Sequence, residues 1–244
     1  MTFFQALVLG IVQGITEFFP VSSSAHLRFV RSLMGLSEGE QWLYFDLACH
    51  LGTWVALVWF LRREVWSVLT NLRQIGLFTV ALIPLVPAYF LLKPLRLALS
   101  EPVYTGFFLI VTGVLLLLAC KPRPRTGKIS AVVCVGLAQA AALLPGLSRS
   151  GSTIAVGRFC GWTWVEAAKF SFLLAVPTIA GGEILESLKL DGQVDAMCVV
   201  GFCSALAVGL VSVRCVFWLY EKAYIKPVAW YCVGVGLLWL RKNL

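Results

Sequence analysis

Two short polar clusters interrupt a chain that is otherwise poor in polar residues, and both hold groups suited to phosphate chemistry. The first contains Gln13, Glu17, Ser22, Ser23, Ser24 and His26; the second contains Ser148, Arg149, Ser150, Ser152 and Thr153. Gln13 and Glu17 are four apart, so on a helix they project from one face, and Pro20 stands where that helix should end. The serines that follow suit the N-cap of a second half-helix, with His26 in or near its first turn. In the second cluster Gly146 and Gly151 let the backbone approach a ligand closely. A Ser/Thr run at a helix start offers hydroxyls and free amide N–H groups, which attract anions, and Arg149 adds a planar fork matched to phosphate oxygens. One cluster therefore supplies a carboxylate, hydroxyls and an imidazole, and the other supplies a cation and donors. Meeting from opposite sides, they would form an anion site.

The surrounding sequence says where such a site would lie. Of 244 residues, 59% are hydrophobic and 13% charged, and the mean hydropathy is +0.87, which leaves too little polar surface to cover a soluble globule. The composition is that of an integral membrane protein, and it excludes disorder, collagen and coiled coil. The net charge of +8 then points to lipid phosphates and basic loops, not to nucleic acid. Cys49, Cys134, Cys198, Cys203, Cys215 and Cys232 sit in apolar runs with no CxxC, and are expected to be small buried hydrophobes without disulfide or metal roles. The apolar N-terminus lacks a basic n-region and a small-x-small cleavage site, and reads as mature structure.

Eight apolar stretches are visible, at about 2–20, 43–61, 77–92, 103–119, 129–145, 164–185, 196–219 and 227–240; the later ones match the length that crosses about 30 Å of hydrocarbon as a helix. The first and fifth differ: each carries polar residues, then Pro, then a serine-rich stretch and more apolar residues. Gly10, Gln13, Pro20 and Ser23 correspond to Gly136, Gln139, Pro145 and Ser148, allowing a one-residue gap. Repetition at half the chain length is the mark of a two-repeat membrane architecture built on broken helices. If both broken segments turn back to their side of entry, loops 62–76, 120–128 and 220–226 share a face with the second hairpin, and that face holds eleven Lys/Arg against seven opposite. The richer face is expected to be cytoplasmic. The expected fold is an all-α polytopic inverted repeat. Its first half, 1–125, holds a re-entrant hairpin at 2–36 and three spans; its second half, 126–244, holds a hairpin at 129–163 and three more.

Polar groups inside a bilayer are costly, about 2.5–3.5 kcal/mol for a charge at mid-depth on insertion scales, so each needs a reason. Gln139 has a sufficient one in helix packing. Glu17, beside His26 and a triple serine after a proline, does not. His50, at the start of a span, is expected to be a packing residue; Asp46, Glu166 and Glu183 are expected to be span-end residues. Arg62, Arg63, Lys121, Arg123, Arg125 and Lys128 are expected to set topology.

The segment QGITEFFPVSSSAHL resembles the Glu/Gln-x-x-x-Glu and Pro-Val-Ser-Ser-x-x-His elements of the bacterial undecaprenyl-pyrophosphate phosphatase family, and LLPGLSRSGSTI resembles its Pro-Gly-x-Ser-Arg-Ser-x-x-Thr element. HLGT at 50–53 and KFSFLLAVP at 169–177 are similar to family segments in the same order, so the likeness runs over nearly the whole chain. The resemblance implies hydrolysis of undecaprenyl pyrophosphate to the monophosphate carrier of cell-wall synthesis, an association with bacitracin resistance, and a multi-pass protein of the bacterial inner membrane. It also implies a divalent cation, magnesium or calcium, and leaves a homodimer open. The family's functional positions fall here on Gln13, Glu17, Ser23, His26, Ser148, Arg149 and Thr153. Where many members carry two acids in the first element this chain has Gln13, which leaves Glu17 as the main candidate metal ligand.

The expected chemistry follows. Arg149, Ser148, Ser150 and Thr153 would grip the pyrophosphate, with Gln13, Ser22 and Ser24 lining the site. Glu17 would hold the cation or act as general base. Ser23 or His26 would be the nucleophile, or His26 would serve an attacking water. The rival reading is a prenyl-phosphate flippase or a secondary transporter, since inverted repeats with half-helix ion sites are a transporter hallmark. A type-2 phosphatidic-acid-type phosphatase is disfavoured, because the chain has neither Lys-x6-Arg-Pro nor Ser-Gly-His.

Overall fold

The computed structural model describes residues 1–36, 42–121, 123–188 and 195–243. It is helical, with no strands among the described residues. The first broken segment forms α1 (Phe3–Thr16) and α2 (Ser23–Leu33); the second forms α9 (Lys128–Ala141) and α10 (Arg149–Phe159). Between them lie α3 (Leu43–Phe60), α4 (Arg62–Leu69), α5 (Leu72–Leu82), α6 (Leu85–Leu91), α7 (Lys93–Ala98) and α8 (Pro102–Ala119). After them come α11 (Trp164–Ser187), α12 (Ala196–Glu221) and α13 (Lys226–Asn243).

Among the described residues five helical segments are long and apolar enough to cross a membrane: Leu43–Phe60, Leu72–Leu91, Pro102–Ala119, Trp164–Ser187 and Ala196–Glu221. They match five of the expected spans, with the second beginning earlier than its apolar run because Asn71 caps α5 on the amides of Arg73 and Gln74. The sixth expected span falls in α13, an 18-residue helix with Lys226 at one end and Arg241 and Lys242 at the other. The short helices α4 and α7 were not legible in the hydropathy pattern.

Lipid tails are as apolar as leucine, so these helices associate through close contact of small residues and not through exclusion of water. Gly10 lies against the Gly201 carbonyl of α12, and its repeat counterpart Gly136 lies against the Ala81 carbonyl of α5. Gly106 and Gly236 face each other where α8 crosses α13, and Gly52 meets Phe202 where α3 runs beside α12. A larger core fills the junction of α3, α11 and α12, where Phe172 packs edge-on to both Phe18 and Phe217. Lys169, near the start of α11, lies 3.6 Å from Glu64, just past the end of α3. The two helices therefore run antiparallel, which brings the start of α3 to the end of α11.

The cysteine expectation needs correction. All eight thiols are free and Cys49, Cys198 and Cys232 are buried, but Cys134, Cys203 and Cys215 point out of the bundle. An apolar run in a membrane protein does not by itself signal burial, because the outward face meets hydrocarbon.

Candidate active site

Both helix breaks fall where the serine and proline pattern puts them, but only the second uses its serine as a side-chain cap. The helical path of α1 stops at Glu17, which keeps right-handed helical angles as the C-cap. Residues 17–22 then turn, and Ser22 takes φ 66°, a left-handed conformation unusual for a residue with a Cβ. Ser22 precedes α2 but makes no side-chain cap, so the first amides of α2 are left unclaimed by it. In the second break Gly146 adopts φ 91°, and an added Cβ there would lie 2.6 Å from the Thr105 carbonyl, so this turn needs glycine. Ser148 caps α10, its hydroxyl accepting from the Gly151 amide at 3.1 Å, while its own amide donates to the Thr112 hydroxyl at 3.1 Å.

The two breaks meet. Arg149 Nη2 donates to Glu17 Oε1 at 2.7 Å. Glu17 Oε2 accepts from Gln13 Nε2 at 3.0 Å and from the Ser23 hydroxyl at 2.8 Å. Both carboxylate oxygens are thus held, and the i to i+4 spacing of Gln13 and Glu17 acts as the sequence suggested. Arg149 Nη1 is buried with no hydrogen-bond partner among the described residues, a strong donor aimed where an anion would satisfy it.

Around this contact lies a polar cavity of about 320 Å³. The first break contributes Glu17, Ser22, Ser23 and Ser24 to its wall, and the second contributes Ser148, Arg149 and Ser150. Two helix N-termini therefore open on one space, with a guanidinium between them.

Three residues expected at the site stand elsewhere. His26 is not in the cavity wall: its Nδ1–H donates to the Ser22 carbonyl at 2.9 Å, and its Nε2 accepts from the Tyr231 hydroxyl at 2.8 Å, with the two rings stacked. Thr153 donates to carbonyls one turn back in α10 and pairs with Ser171 of α11 at 2.7 Å, tying the helices together behind the site. Gln13 reaches the cavity only through Glu17. Gln139 accepts from Thr178 at 3.3 Å, the packing role anticipated for it.

Other residues enter that sequence reasoning had set aside. His50, expected to pack, lines the cavity with Nε2 3.9 Å from Glu17 Oε2, its Nδ1–H held by the Asp46 carbonyl at 2.8 Å. Glu183 and Glu186, on the last turns of α11, line it as well. Asp46 is a span-end residue as expected and pairs with Arg31, and Glu166 closes a capping box with Thr163. His50 had a signal in its rarity, being one of two histidines in the chain. Glu183 had one in being a carboxylate within an apolar helix. Neither signal said which way the side chain faces.

The donor chemistry bears on the implied cation. Among the described residues no three His, Cys, Asp or Glu side chains are grouped so as to cage a metal ion. Carboxylates facing an anion-gripping arginine fit instead a hard cation that shares its coordination between one or two protein oxygens and phosphate oxygens.

The profile of the family described as bacitracin resistance protein BacA matches residues 6–238. The chain belongs to this family. BacA relatives named undecaprenyl-diphosphatase include those of Protochlamydia amoebophila, 34% identical with 97% of both chains covered, and Pelotomaculum thermopropionicum, 36% identical with 97% of this chain and 95% of the relative covered. A third, from Desulforudis audaxviator, is 39% identical with 86% of both chains covered. The BacA profile spans both broken-helix units, so Glu17 and Arg149 lie within the family match.

Proposed function

We propose that this protein hydrolyses undecaprenyl pyrophosphate to undecaprenyl phosphate and orthophosphate, recycling a lipid carrier of cell-wall synthesis and so conferring bacitracin resistance. The observation that carries the reading is the Ser23–Glu17–Arg149 chain, a hydroxyl donating to a carboxylate that is itself held by a guanidinium, inside a polar cavity within a membrane bundle. Membership of the family and the names of its relatives support it.

Ser23 is the hydroxyl bonded to the candidate base, which favours it over His26, which is absent from the cavity wall and has both ring nitrogens already engaged. In the proposed reaction the terminal phosphoryl group takes the place of Glu17 on the guanidinium of Arg149, and the α2 and α10 N-termini receive its remaining oxygens. Ser23 Oγ attacks the terminal phosphorus as its proton passes to Glu17 Oε2; the phosphoanhydride bond breaks and undecaprenyl phosphate leaves. Glu17 gives that proton up to the leaving undecaprenyl phosphate; water then attacks the phosphoserine as its proton passes to the freed Glu17 carboxylate, which returns it to Ser23 Oγ as the P–O bond breaks, and orthophosphate departs with the Ser23 hydroxyl restored. A divalent cation held by cavity carboxylates, with Glu17 the candidate from sequence, would neutralise phosphate oxygens when bound. His26 is assigned a positioning role through the Ser22 carbonyl.

The lipid tail has a place to go. An apolar groove of about 450 Å³, lined by Tyr44, Leu47, Leu51, Val199 and Phe202, shares Glu183 with the polar cavity, so a head group in one could lie beside a prenyl chain in the other. Burial of that chain adds affinity without favouring the transition state.

The inverted repeat is proposed as well. Its support is the packing of α1 on α12 and of α9 on α5 and α6, so that the first arm of each hairpin lies against the second span of the other half. On this topology the cavity, at the start of α3 and the end of α11, opens opposite the Lys/Arg-rich loops, on the outer side of a bacterial inner membrane. Tags on the two termini should then report the same face.

Phosphate release decides the function. Detergent-solubilised protein should liberate orthophosphate from a long prenyl diphosphate. A flippase or transporter would release none and would need two compartments to show activity.

A further inference from the structure

Glu183 stands in the wall of the polar cavity, half-buried in a helix that spans the bilayer, with no hydrogen bond or ion pair among the described residues. Such a carboxylate is unfavourable in itself, and beside an anion site it also repels the substrate. Its neighbour Glu186 differs, because the Tyr89 hydroxyl donates to it at 3.4 Å. Glu17 differs further, with Arg149 on one oxygen and Gln13 and Ser23 on the other. Of the three carboxylates facing the cavity, Glu183 is the one whose oxygens are not already committed.

We propose that Glu183 is the carboxylate that receives the divalent cation accompanying the diphosphate, leaving Glu17 to serve Ser23 and Arg149. The inference rests on the reading of the cavity as a diphosphate site. Magnesium-like ions keep several waters and bind through one or two carboxylates plus substrate phosphates, so a single free carboxylate opposite a phosphate grip is sufficient, and no grouped set of three protein ligands is needed. Gly182, which precedes Glu183 in the wall, has open space where a Cβ would stand, so no neighbouring helix crowds the wall at that point. A base cannot also be a tightly held metal ligand without losing its proton affinity. Dividing the two tasks between Glu17 and Glu183 removes that conflict.

The test uses Mn²⁺ as probe and a methylene-bridged prenyl diphosphonate, which cannot be hydrolysed. Free Mn²⁺ is titrated by electron paramagnetic resonance against purified full-length protein with the diphosphonate present. Glu183→Gln should weaken Mn²⁺ binding by about tenfold or more. Glu186→Gln should leave it within about twofold, and Glu183→Asp, which keeps the charge, should restore part of the loss. Thermal unfolding of both Glu183 variants should match the wild type, since Glu183 bonds to nothing among the described residues that holds the fold. Mn²⁺ binding by Glu183→Gln as tight as that of the wild type would overturn the proposal, as would a wild type that binds no Mn²⁺ with the diphosphonate. A wild type that releases no phosphate from prenyl diphosphate would instead overturn the functional reading beneath it.

Discussion

The guanidinium of Arg149 is bonded to the Glu17 carboxylate at 2.7 Å, although the two residues are 132 positions apart and sit on different broken helices. The two charges neutralise each other, and in the proposed reaction a phosphoryl group that takes over Arg149 frees Glu17 to accept a proton. Arg149→Lys is expected to lower kcat by about 10²–10³-fold, because an ammonium offers a point charge where a planar fork is needed. Glu17→Gln should fall at least as far, and the double variant should be little worse than either single one, since the residues act as a unit. Rates measured by phosphate release on folded, detergent-solubilised variants check this; strictly additive losses would contradict the coupling.

Ser23 donates to the Glu17 carboxylate, its proposed base, at 2.8 Å, so a covalent phosphoseryl intermediate is expected. Rapid quenching with labelled substrate should trap phosphate on Ser23, and Ser23→Ala should lose about 10³-fold or more in turnover. Full activity in Ser23→Ala would leave direct attack by water as the route.

His26 fixes the carbonyl of Ser22, whose φ of 66° sets the turn that delivers Ser23. His26→Ala should cost about 10²-fold in kcat through misplacement of the nucleophile, with the shape of the pH–rate profile unchanged. Tyr231→Phe, which removes only the hydroxyl on His26 Nε2, should cost less than about tenfold. Loss of one limb of the pH profile in His26→Ala would reveal a proton-transfer role instead.

Gly136 packs where α9 meets α5, and an added Cβ would lie 2.5 Å from the Ala81 carbonyl and 3.0 Å from its Cα, both backbone atoms that cannot step aside. Gly136→Ala is expected to destabilise the fold by about 1–3 kcal/mol. A lowered thermal midpoint in detergent, with kcat of the surviving folded fraction near normal, is the expected result. Gly76→Ala, where a Cβ meets nothing within 4 Å, is the control.

Much of this protein is determined by local sequence. Membrane class, five of the spans, both helix breaks and the alignment of Gln13 with Glu17 follow from hydropathy, proline, serine and helical period, all of which act over a few residues. The meeting of an acid from one broken helix with a guanidinium from the other was legible too, because a glutamate and an arginine in broken apolar helices have few structural uses, and the two are bonded. Tertiary packing decided which side chains face the cavity. His26 lies within the first motif yet turns to Tyr231, a partner 205 positions away, whereas His50 and Glu183, on helices outside both motifs, turn inward. Cys134, Cys203 and Cys215 face outward for the same reason that Cys49 faces inward: in a bilayer both sides of a helix are apolar, so composition cannot tell the packed face from the lipid face. Only the crossing of helices distant in sequence, at glycines such as Gly10, Gly52 and Gly136, fixes that rotation and with it the shape of the site.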